Sequence, residues 1–310
     1  MWQLDTEATW PSFLWMKKSV APIFRPNPIL PGVPLGLLRS RLFQVGCASD
    51  QCAIVYLYAR PLPMAAQRGE RLAYRGPRLS QQHALAWQAV LAAAEGKDAM
   101  DGKAFEVSPD KLLRLMGGKG GDRSQRQRLA RWLADLTIAR IDYTTRLHSY
   151  SGPLVASAVS TATGRLCLRL APELRPILRN EVLRNDLARK ARLGLNSLAM
   201  WLHDYIATHL RPPPDSVDRL RHLSGSPLKL PQFRIRLRAA LALLHAGPDP
   251  LVIQGGIDAW DRLIIAKKAP TPVVILTPET TPETRRKQSR PGRKGPPAKR
   301  VVAEANPLRL

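Results

Sequence analysis

The sequence predicts an α+β protein whose body consists of two tandem units, each made of three helices and a β-hairpin. Three observations support this prediction. A short helix, a glycine turn and a longer amphipathic helix occur in the same order twice along the chain. Residues suited to helix N-caps precede the helices, and glycines follow several of them. Proline-rich segments flank this body at 1–50 and 269–310.

The first unit is predicted to span residues 51–172. Ser and Asp side chains accept hydrogen bonds from the free amides of a first helical turn, so they mark helix starts. The predicted elements are, in order, strands QCAIVYLYA (51–59) and ERLAYRG (70–76), a helix over 80–96 capped by Ser80, a strand AFEV (104–107), a short helix capped by Ser108 with Pro109 at its first position, a helix over 122–136 capped by Asp122, and strands TIARIDYTTRL (137–147) and RLCLRLAPEL (165–174). A Ser/Thr-rich excursion near 149–164 separates the last two strands.

The helix predicted over 122–136 has one apolar and one polar side. The apolar stripe at helical spacing consists of Leu129, Trp132, Leu133 and Leu136. The opposite arc consists of Arg123, Ser124, Gln127 and Arg131, with Arg128 at its edge. A basic arc is most often a solvated helix face, so this arc does not identify a function without the elements around it.

The second unit is predicted over residues 196–268 and repeats the order of the first without obvious sequence identity. Its elements are a helix from about Asn196, a short helix capped near Asp215 or Ser216 and closed by Gly225, a third helix over 230–247, and a hairpin with Gly255 and Gly256 at its turn. The third helix has Phe233, Leu237, Ala240, Leu241 and Leu244 on one face. Its basic residues are Lys229, Arg234, Arg236 and Arg238.

This order of elements is that of a winged helix, a helix-turn-helix backed by a β-hairpin, so two tandem winged-helix domains are predicted. In that architecture the third helix enters the major groove of DNA. Arginine can form two hydrogen bonds with guanine and glutamine two with adenine, while serine suits phosphates or base edges. The context therefore favours DNA contact for both basic third helices.

The net charge of the chain is +24, and a chain so basic favours a polyanionic partner. Residues 267–310 contribute +8, so +16 remains on the other 266 residues. The predicted folded body is thus basic in its own right. Nucleic acid is the leading partner, because phosphates bind Lys and Arg and release counterions. A membrane surface and the ribosome are the competing partners.

Several classes of site find no support in the sequence. Cys47, Cys52 and Cys167 lack the spacing of a zinc site and are interpreted as reduced packing residues of a cytoplasmic protein. The glycine-rich run GGKGGD (117–122) lacks the phosphate-loop spacing and is interpreted as a flexible turn. The six histidines are scattered, and no carboxylate cluster or nucleophile with a neighbouring base occurs. We therefore expect no catalytic residues, no metal and no cofactor, and a protein that is not an enzyme.

The remaining segments are predicted to be accessory. Residues 1–50 form a proline-punctuated arm and lead-in, of which LGLLRSRLF (35–43) is a short helix or an extended segment packed on the first domain. Residues 173–195 form a basic connector, and 269–310 a disordered basic tail. No run of 18 apolar residues occurs, and the N-terminus does not resemble a signal peptide, so neither a membrane span nor secretion is expected.

The blocks GVPLGLLRSRLFQVG (32–46), LSQQHALAWQAVL, FEVSPDKLLRLMGG, RQRLARWLADLTIARI and LGLNSLAMWLHDYI resemble, in order and spacing, the TrfA-type plasmid replication initiators. The resemblance covers about residues 30–268, and it rests on the order of individually weak motifs. It implies two winged-helix domains that bind direct repeats, called iterons, in a double-stranded plasmid origin. It also implies melting of an adjacent A·T-rich region, partnership with the host replication initiator and replicative helicase, and a monomer–dimer equilibrium.

Two other functions remain open at this stage. A winged-helix transcriptional regulator would use the same third helices, and a DNA-processing enzyme such as a relaxase or nuclease is a remote alternative. The aromatic residues Trp2, Trp10, Phe13 and Trp15 are candidate contacts for a partner protein.

Overall fold

The structure is a computed structural model that describes residues 33–46, 57–62, 70–95, 98–179, 182–183, 187–209, 211–246 and 250–267. The predicted aromatic arm, the prediction for Cys47 and Cys52, and the predicted C-terminal tail from 269 onward lie outside these residues. The described residues form a mixed α+β structure.

The α-helices of the described residues are α1 (Leu35–Arg39), α2 (Gln81–Ala94), α3 (Pro109–Leu115), α4 (Arg123–Ile138), α5 (Arg175–Arg179), α6 (Leu187–Arg192), α7 (Ser197–Ala207), α8 (Val217–Leu223) and α9 (Leu230–His245). Short 3-10 turns occur at Asp98–Asp101 and Pro172–Leu174. The strands are β1 (Val33–Pro34), β2 (Phe43–Gln44), β3 (Leu57–Pro61), β4 (Arg71–Gly76), β5 (Leu79–Ser80), β6 (Phe105–Val107), β7 (Arg140–Thr144), β8 (Ser149–Pro153), β9 (Ser157–Ser160), β10 (Leu166–Arg169), β11 (Val182–Leu183), β12 (Asp215–Ser216), β13 (Val252–Ile257) and β14 (Arg262–Lys267).

The helix starts predicted from capping residues are confirmed. The Ser108 side chain accepts from the Lys111 amide at 3.2 Å, and the Asp122 carboxylate accepts from the Ser124 amide at 2.9 Å. In the second unit the same role is taken by Asn196 and by Ser216. These caps satisfy amides that a helix leaves without partners, and the local sequence is sufficient to supply them.

Both units have the same sheet topology. In the first, β6, β10 and β9 form an antiparallel sheet with β10 in the centre, and in the second, β12, β14 and β13 do so with β14 in the centre. In each unit the first strand lies between the first two helices, and the last two strands form a hairpin after the third helix. The two units therefore share the order helix, strand, helix, helix and hairpin.

The Ser/Thr-rich excursion of the first unit is not a loop. It contains β8 and β9, so β7 pairs with β8 and β4, whereas β10 pairs with β9 and β6. The two strands predicted around the excursion consequently lie in different sheets. Strand β7 buries Ile141 and Tyr143 while its other residues are exposed, and Tyr143 faces the buried Tyr150 of β8. Because the excursion is rich in Ser and Thr, its sequence did not predict that it would form paired strands.

The turn of the second hairpin also differs from the prediction. Gly255 and Gly256 lie inside β13, opposite Ile265 and Ile264 of β14. The chain reverses at residues 258–261 instead, where the Asp258 carboxylate accepts from the amides of Trp260 at 3.0 Å and Arg262 at 2.8 Å. A short acidic side chain that accepts from amides two and four residues ahead stabilises a turn without glycine.

Two hydrophobic clusters form the core. The first centres on α2, with Trp87 fully buried, and the second on α7 and α9, with Trp201 and Phe233 buried. Helix α7 contributes to both, because Met200 and Ala207 belong to the first cluster while Trp201 belongs to the second. The two units therefore share a helix in their cores.

The lead-in and the described part of the predicted connector belong to this core. Strand β1 pairs with β11, so the lead-in at 33–34 joins the connector at 182–183. The lead-in side chains Leu37 and Leu38 are buried in the first cluster, together with Ile177 and Leu178 of the connector. Apolar residues at helical spacing in α1 and α5 explain this packing. The basic composition of the connector did not indicate that part of it would be buried.

Candidate nucleic-acid interface

Helix α4 places the predicted polar arc in solvent. Leu129, Leu133 and Leu136 are buried in the first cluster. The predicted contact residues on the other side, Arg123, Ser124, Gln127, Arg128 and Arg131, are all exposed. Among the described residues, no hydrogen bond or ion pair occupies Arg123, Gln127, Arg128 or Arg131. Their side chains are available to a ligand.

Ser124 differs from its neighbours because it completes the helix cap. Its hydroxyl donates to the second oxygen of the Asp122 carboxylate at 2.9 Å, and its amide donates to the first oxygen at 2.9 Å. These bonds from the Ser124 amide and hydroxyl lower the pKa of Asp122 below its usual value. Ser124 is thus exposed but already engaged, and contact with DNA would have to share its hydroxyl.

Two polar contacts that the sequence did not reveal hold α4 in place. The Arg126 guanidinium donates twice to the Asp110 carboxylate of α3, at 2.9 and 2.8 Å, and its hydrogen bond lowers the pKa of Asp110. At the other end, His83 Nε2 of α2 lies 3.0 Å from Asp135 Oδ2, while His83 Nδ1 accepts from the Ser80 amide. Bidentate pairs fix orientation as well as distance. Arg126 is therefore a positioning residue although it is exposed, whereas Gln127, Arg128 and Arg131 have no partner among the described residues.

Helix α9 presents a mixed outer face. Lys229, Arg236 and Arg238 are exposed, as predicted, and no ion pair involves them among the described residues. Between them lies Ile235, whose side chain is 66% exposed. An exposed apolar residue on such a helix suits contact with a thymine methyl group. Helical spacing places Ile235 with Arg236 away from the apolar face, but it was not among the predicted contact residues.

Arg234, one of the predicted contact residues, is paired within the protein. Its guanidinium donates twice to the Asp261 carboxylate at the turn of the second hairpin, at 2.7 and 2.8 Å, and this lowers the pKa of Asp261. Asp261 has a φ of 58°. The pair joins α9 to the hairpin turn, so contact of Arg234 with DNA would have to compete with Asp261. The partner lies 27 residues away, which is why helical spacing could not identify it.

The hairpin beside α9 carries an exposed aromatic residue. Trp260 is 75% exposed at the turn, and the Arg262 guanidinium lies 4.8 Å from the centre of its ring. The Asp258 carboxylate also accepts from Arg262 Nε at 2.9 Å, which fixes the guanidinium at the ring. A flat ring and a cation at a hairpin tip are suited to a DNA backbone or groove edge. The sequence pattern of this segment predicted only a structural hairpin.

Over the described ranges, no three His, Cys, Asp or Glu side chains lie close enough together to hold a metal ion. Cys167, the one cysteine in those ranges, is a free thiol. None of the helices placed by the structure is long and apolar enough to cross a membrane. What the third helices and the second hairpin offer is hydrogen-bond donors, positive charge and exposed apolar groups.

Comparison with known proteins gives remote similarities only. No protein-family model and no curated protein matches the chain. A crystal structure of selenomethionine derivatives of domains 2 and 3 of RctB matches with a TM-score of 0.42 and 11% identity, covering 69% of this chain and 86% of that chain. A second crystal structure of RctB domains 2–3 has a TM-score of 0.40 and 11% identity, covering 65% of this chain and 82% of the other. Similarity at this level does not assign a function.

Proposed function

We propose that both units are winged-helix modules and that the chain binds double-stranded DNA in a sequence-specific manner. The observation that carries this proposal is the duplication: two units with the same element order each hold a third helix whose outer face is exposed and basic. Arg128 and Arg131 on α4, and Arg236 and Arg238 on α9, supply the charge. Gln127 and Ile235 supply groups that distinguish bases.

The shared core supports recognition of a single DNA binding site by both units of one molecule. Helix α7 contributes to both hydrophobic clusters, and Arg39 of α1 donates a hydrogen bond to the Thr208 carbonyl at the end of α7. Units connected in this way hold their third helices at a set spacing. We therefore expect one protein molecule to specify two separate stretches within a single binding site.

The biological role we propose is that of a plasmid replication initiator of the TrfA type. Its support is the ordered resemblance of the sequence blocks over about residues 30–268. The two units are arranged in tandem and differ in sequence, so one chain suits an asymmetric repeat better than a palindrome. Successive copies on direct repeats would strain the duplex, and an adjacent A·T-rich segment with flexible TA steps would open most easily. The host initiator and replicative helicase are the expected protein partners, and a monomer the binding form.

Binding-site selection from random duplexes tests the DNA-binding proposal. We expect one selected motif for the wild-type protein, with affinity falling by several powers of ten between about 50 and 200 mM salt. Gln127→Ala or Arg131→Ala should cost about 1–3 kcal/mol and relax preference at one base pair, and Ile235→Ala should do so at a separate position. Lys103→Ala, which removes a charge outside both third helices, serves as the control. A protein without a selected motif, or variants with unchanged preference, would contradict the assignment.

Permanganate footprinting of a supercoiled origin plasmid separates initiation from repression. With the full chain and the host initiator, we expect reactive thymines in the A·T-rich segment beside the repeats. A chain lacking residues 1–30, assayed on the same plasmid for helicase loading as well as for reactive thymines, tests whether the aromatic arm recruits the helicase, because melting should persist while helicase loading is lost. Specific binding with no reactive thymines would instead favour the transcriptional regulator.

A further inference from the structure

Two arginines from distant parts of the chain lie near the same short pair of strands. Strands β2 and β5 pair in parallel, with Phe43 opposite Leu79 and Gln44 opposite Ser80. Arg78 immediately precedes β5, and Arg41 lies two residues before β2. Paired strands lie about 4.8 Å apart, so the two arginines flank the same end of a short parallel ladder. Burial, and then the charge of Arg41, lowers the pKa of Arg78.

Neither guanidinium has an acidic partner. Over the described ranges no carboxylate forms an ion pair with Arg41 or Arg78, and neither Nε atom has a hydrogen-bond acceptor although both are buried. Both side chains remain partly exposed. Two like charges held together with unpaired donors are unfavourable unless an anion joins them.

The chain on either side of the arginine pair packs against both units. Gly76, two residues before Arg78, packs against the residue that ends α4, since a Cβ at position 76 would lie 3.0 Å from Ala139 Cα. Arg41 packs against the turn that precedes α9, since a Cβ at Gly225 would lie 3.0 Å from the Arg41 Cγ and Nε atoms. Gly225 has a φ of +66°, and its missing side chain leaves the space that Arg41 occupies.

We infer that Arg41 and Arg78 together bind one backbone phosphate of the duplex, between the stretch contacted by α4 and the stretch contacted by α9. Guanidinium forks match the oxygens of a phosphodiester, and their charge assistance makes such hydrogen bonds short and strong. A phosphate held by this pair would fix the register of both third helices on the DNA without reading any base. The inference rests on the duplex binding proposed above.

Glutamine variants test the pair on the selected duplex. Arg41→Gln and Arg78→Gln should each weaken binding about 10-fold, equally for all sequences, and each should reduce the slope of log affinity against log salt by about 1. Lysine at either position keeps the charge but not the fork, so it should restore part of the affinity. Arg71→Gln, on the outer side of β4, is the matched control and should have a smaller effect.

Phosphate-ethylation interference supplies the decisive readout. For the wild type, ethylation of a phosphate between the two specified stretches should block binding, and Arg41→Gln or Arg78→Gln should abolish interference at that phosphate alone. Thermal unfolding of the two variants should occur at an unchanged or higher temperature, because each removes one charge of a repulsive pair. An interference pattern identical to the wild type in both variants would overturn the inference while leaving duplex binding intact.

Two further outcomes are also decisive. If inorganic phosphate raises the melting temperature of the wild type but not of Arg78→Gln, and duplex affinity is unchanged in that variant, the pair binds free phosphate and the inference is wrong. A wild-type protein that selects no duplex would refute the proposed function, and with it this assignment.

Discussion

Neighbouring arginines on one helix have different tasks. Arg126 is bound to Asp110 by two hydrogen bonds, whereas Arg128, two residues later, has no such partner among the described residues. Likewise, Arg234 is paired with the hairpin turn while Arg236 is exposed. Residue type alone does not show whether an arginine positions a helix or is free to contact DNA, because the tertiary structure determines which carboxylate lies beside it.

At the residue scale, the lowered pKa of His209 should make the stability of the fold depend on pH. Burial, and then the charge of Arg39, lowers the pKa of His209 to about 4, although its Nδ1 lies 2.7 Å from the Tyr205 carbonyl. The unfolded chain, with an ordinary histidine pKa near 6.5, binds this proton more readily, so stability falls as the pH falls from about 6.5 toward 4. The loss between pH 7.5 and 5 should be about 2 kcal/mol.

Urea unfolding at both pH values measures this effect. His209→Gln, which cannot gain the proton, should lose about 2 kcal/mol less than the wild type over the same interval. His222→Gln, at an exposed position, is the control for the other histidines. Equal losses in the wild type and in His209→Gln would show that His209 does not titrate as described.

At the scale of elements, the turn between α3 and α4 determines where α4 lies. Gly117 has a φ of +82°, and a Cβ there would lie 2.8 Å from the Ala191 Cβ of α6. Gly117→Ala therefore combines backbone strain with a clash and should destabilise the fold by about 2–4 kcal/mol. Gly164→Ala is matched in backbone, with a φ of +72° and no atom within 4 Å, and should cost only about 1 kcal/mol. Equal costs by urea unfolding would mean that α6 does not constrain the turn.

At the scale of the whole molecule, a buried ion pair joins α6 to the shared helix α7. The Lys190 ammonium donates to the Asp204 carboxylate, and both side chains are almost completely buried. His203 Nδ1 lies 3.2 Å from the other oxygen, Oδ1, whereas Gln88 of α2 donates to the same oxygen as Lys190, at 3.5 Å. Burial opposes ionisation of Asp204, but Lys190 and His203 outweigh it and hold the pKa of Asp204 below its usual value. Three helices thus depend on one carboxylate.

Replacing Asp204 tests how strongly the stability of the fold depends on this carboxylate. Asp204→Asn leaves the Lys190 ammonium buried and uncompensated, and should cost about 3–5 kcal/mol. The double variant Lys190→Met with Asp204→Leu should recover most of this loss, because a packed apolar pair needs no compensation. Since α7 belongs to both clusters, we expect one cooperative urea transition, coincident by fluorescence and circular dichroism. Two separate transitions in the wild type would contradict a shared core.

The sequence by itself determined the local structure of this protein. Caps such as Ser108 and Asp122, the apolar spacing in α4 and α9, and the repeated order of elements act over a few residues, so they could be recognised without a structure. The exposed positions of Arg123, Gln127, Arg128 and Arg131 followed from the same periodicity. That arc was predicted correctly as a surface, and its contact with DNA stays a prediction.

Only the tertiary structure decided which distant residues meet. The pairing of β7 with β8, the role of Arg234 at Asp261, and the junction of Arg41 with Arg78 all join segments whose pairing leaves no periodic trace in the sequence. The physical reason is that strand pairing, ion pairs and like-charge contacts depend on the packing of the whole chain. Helical periodicity and capping, in contrast, are properties of adjacent residues.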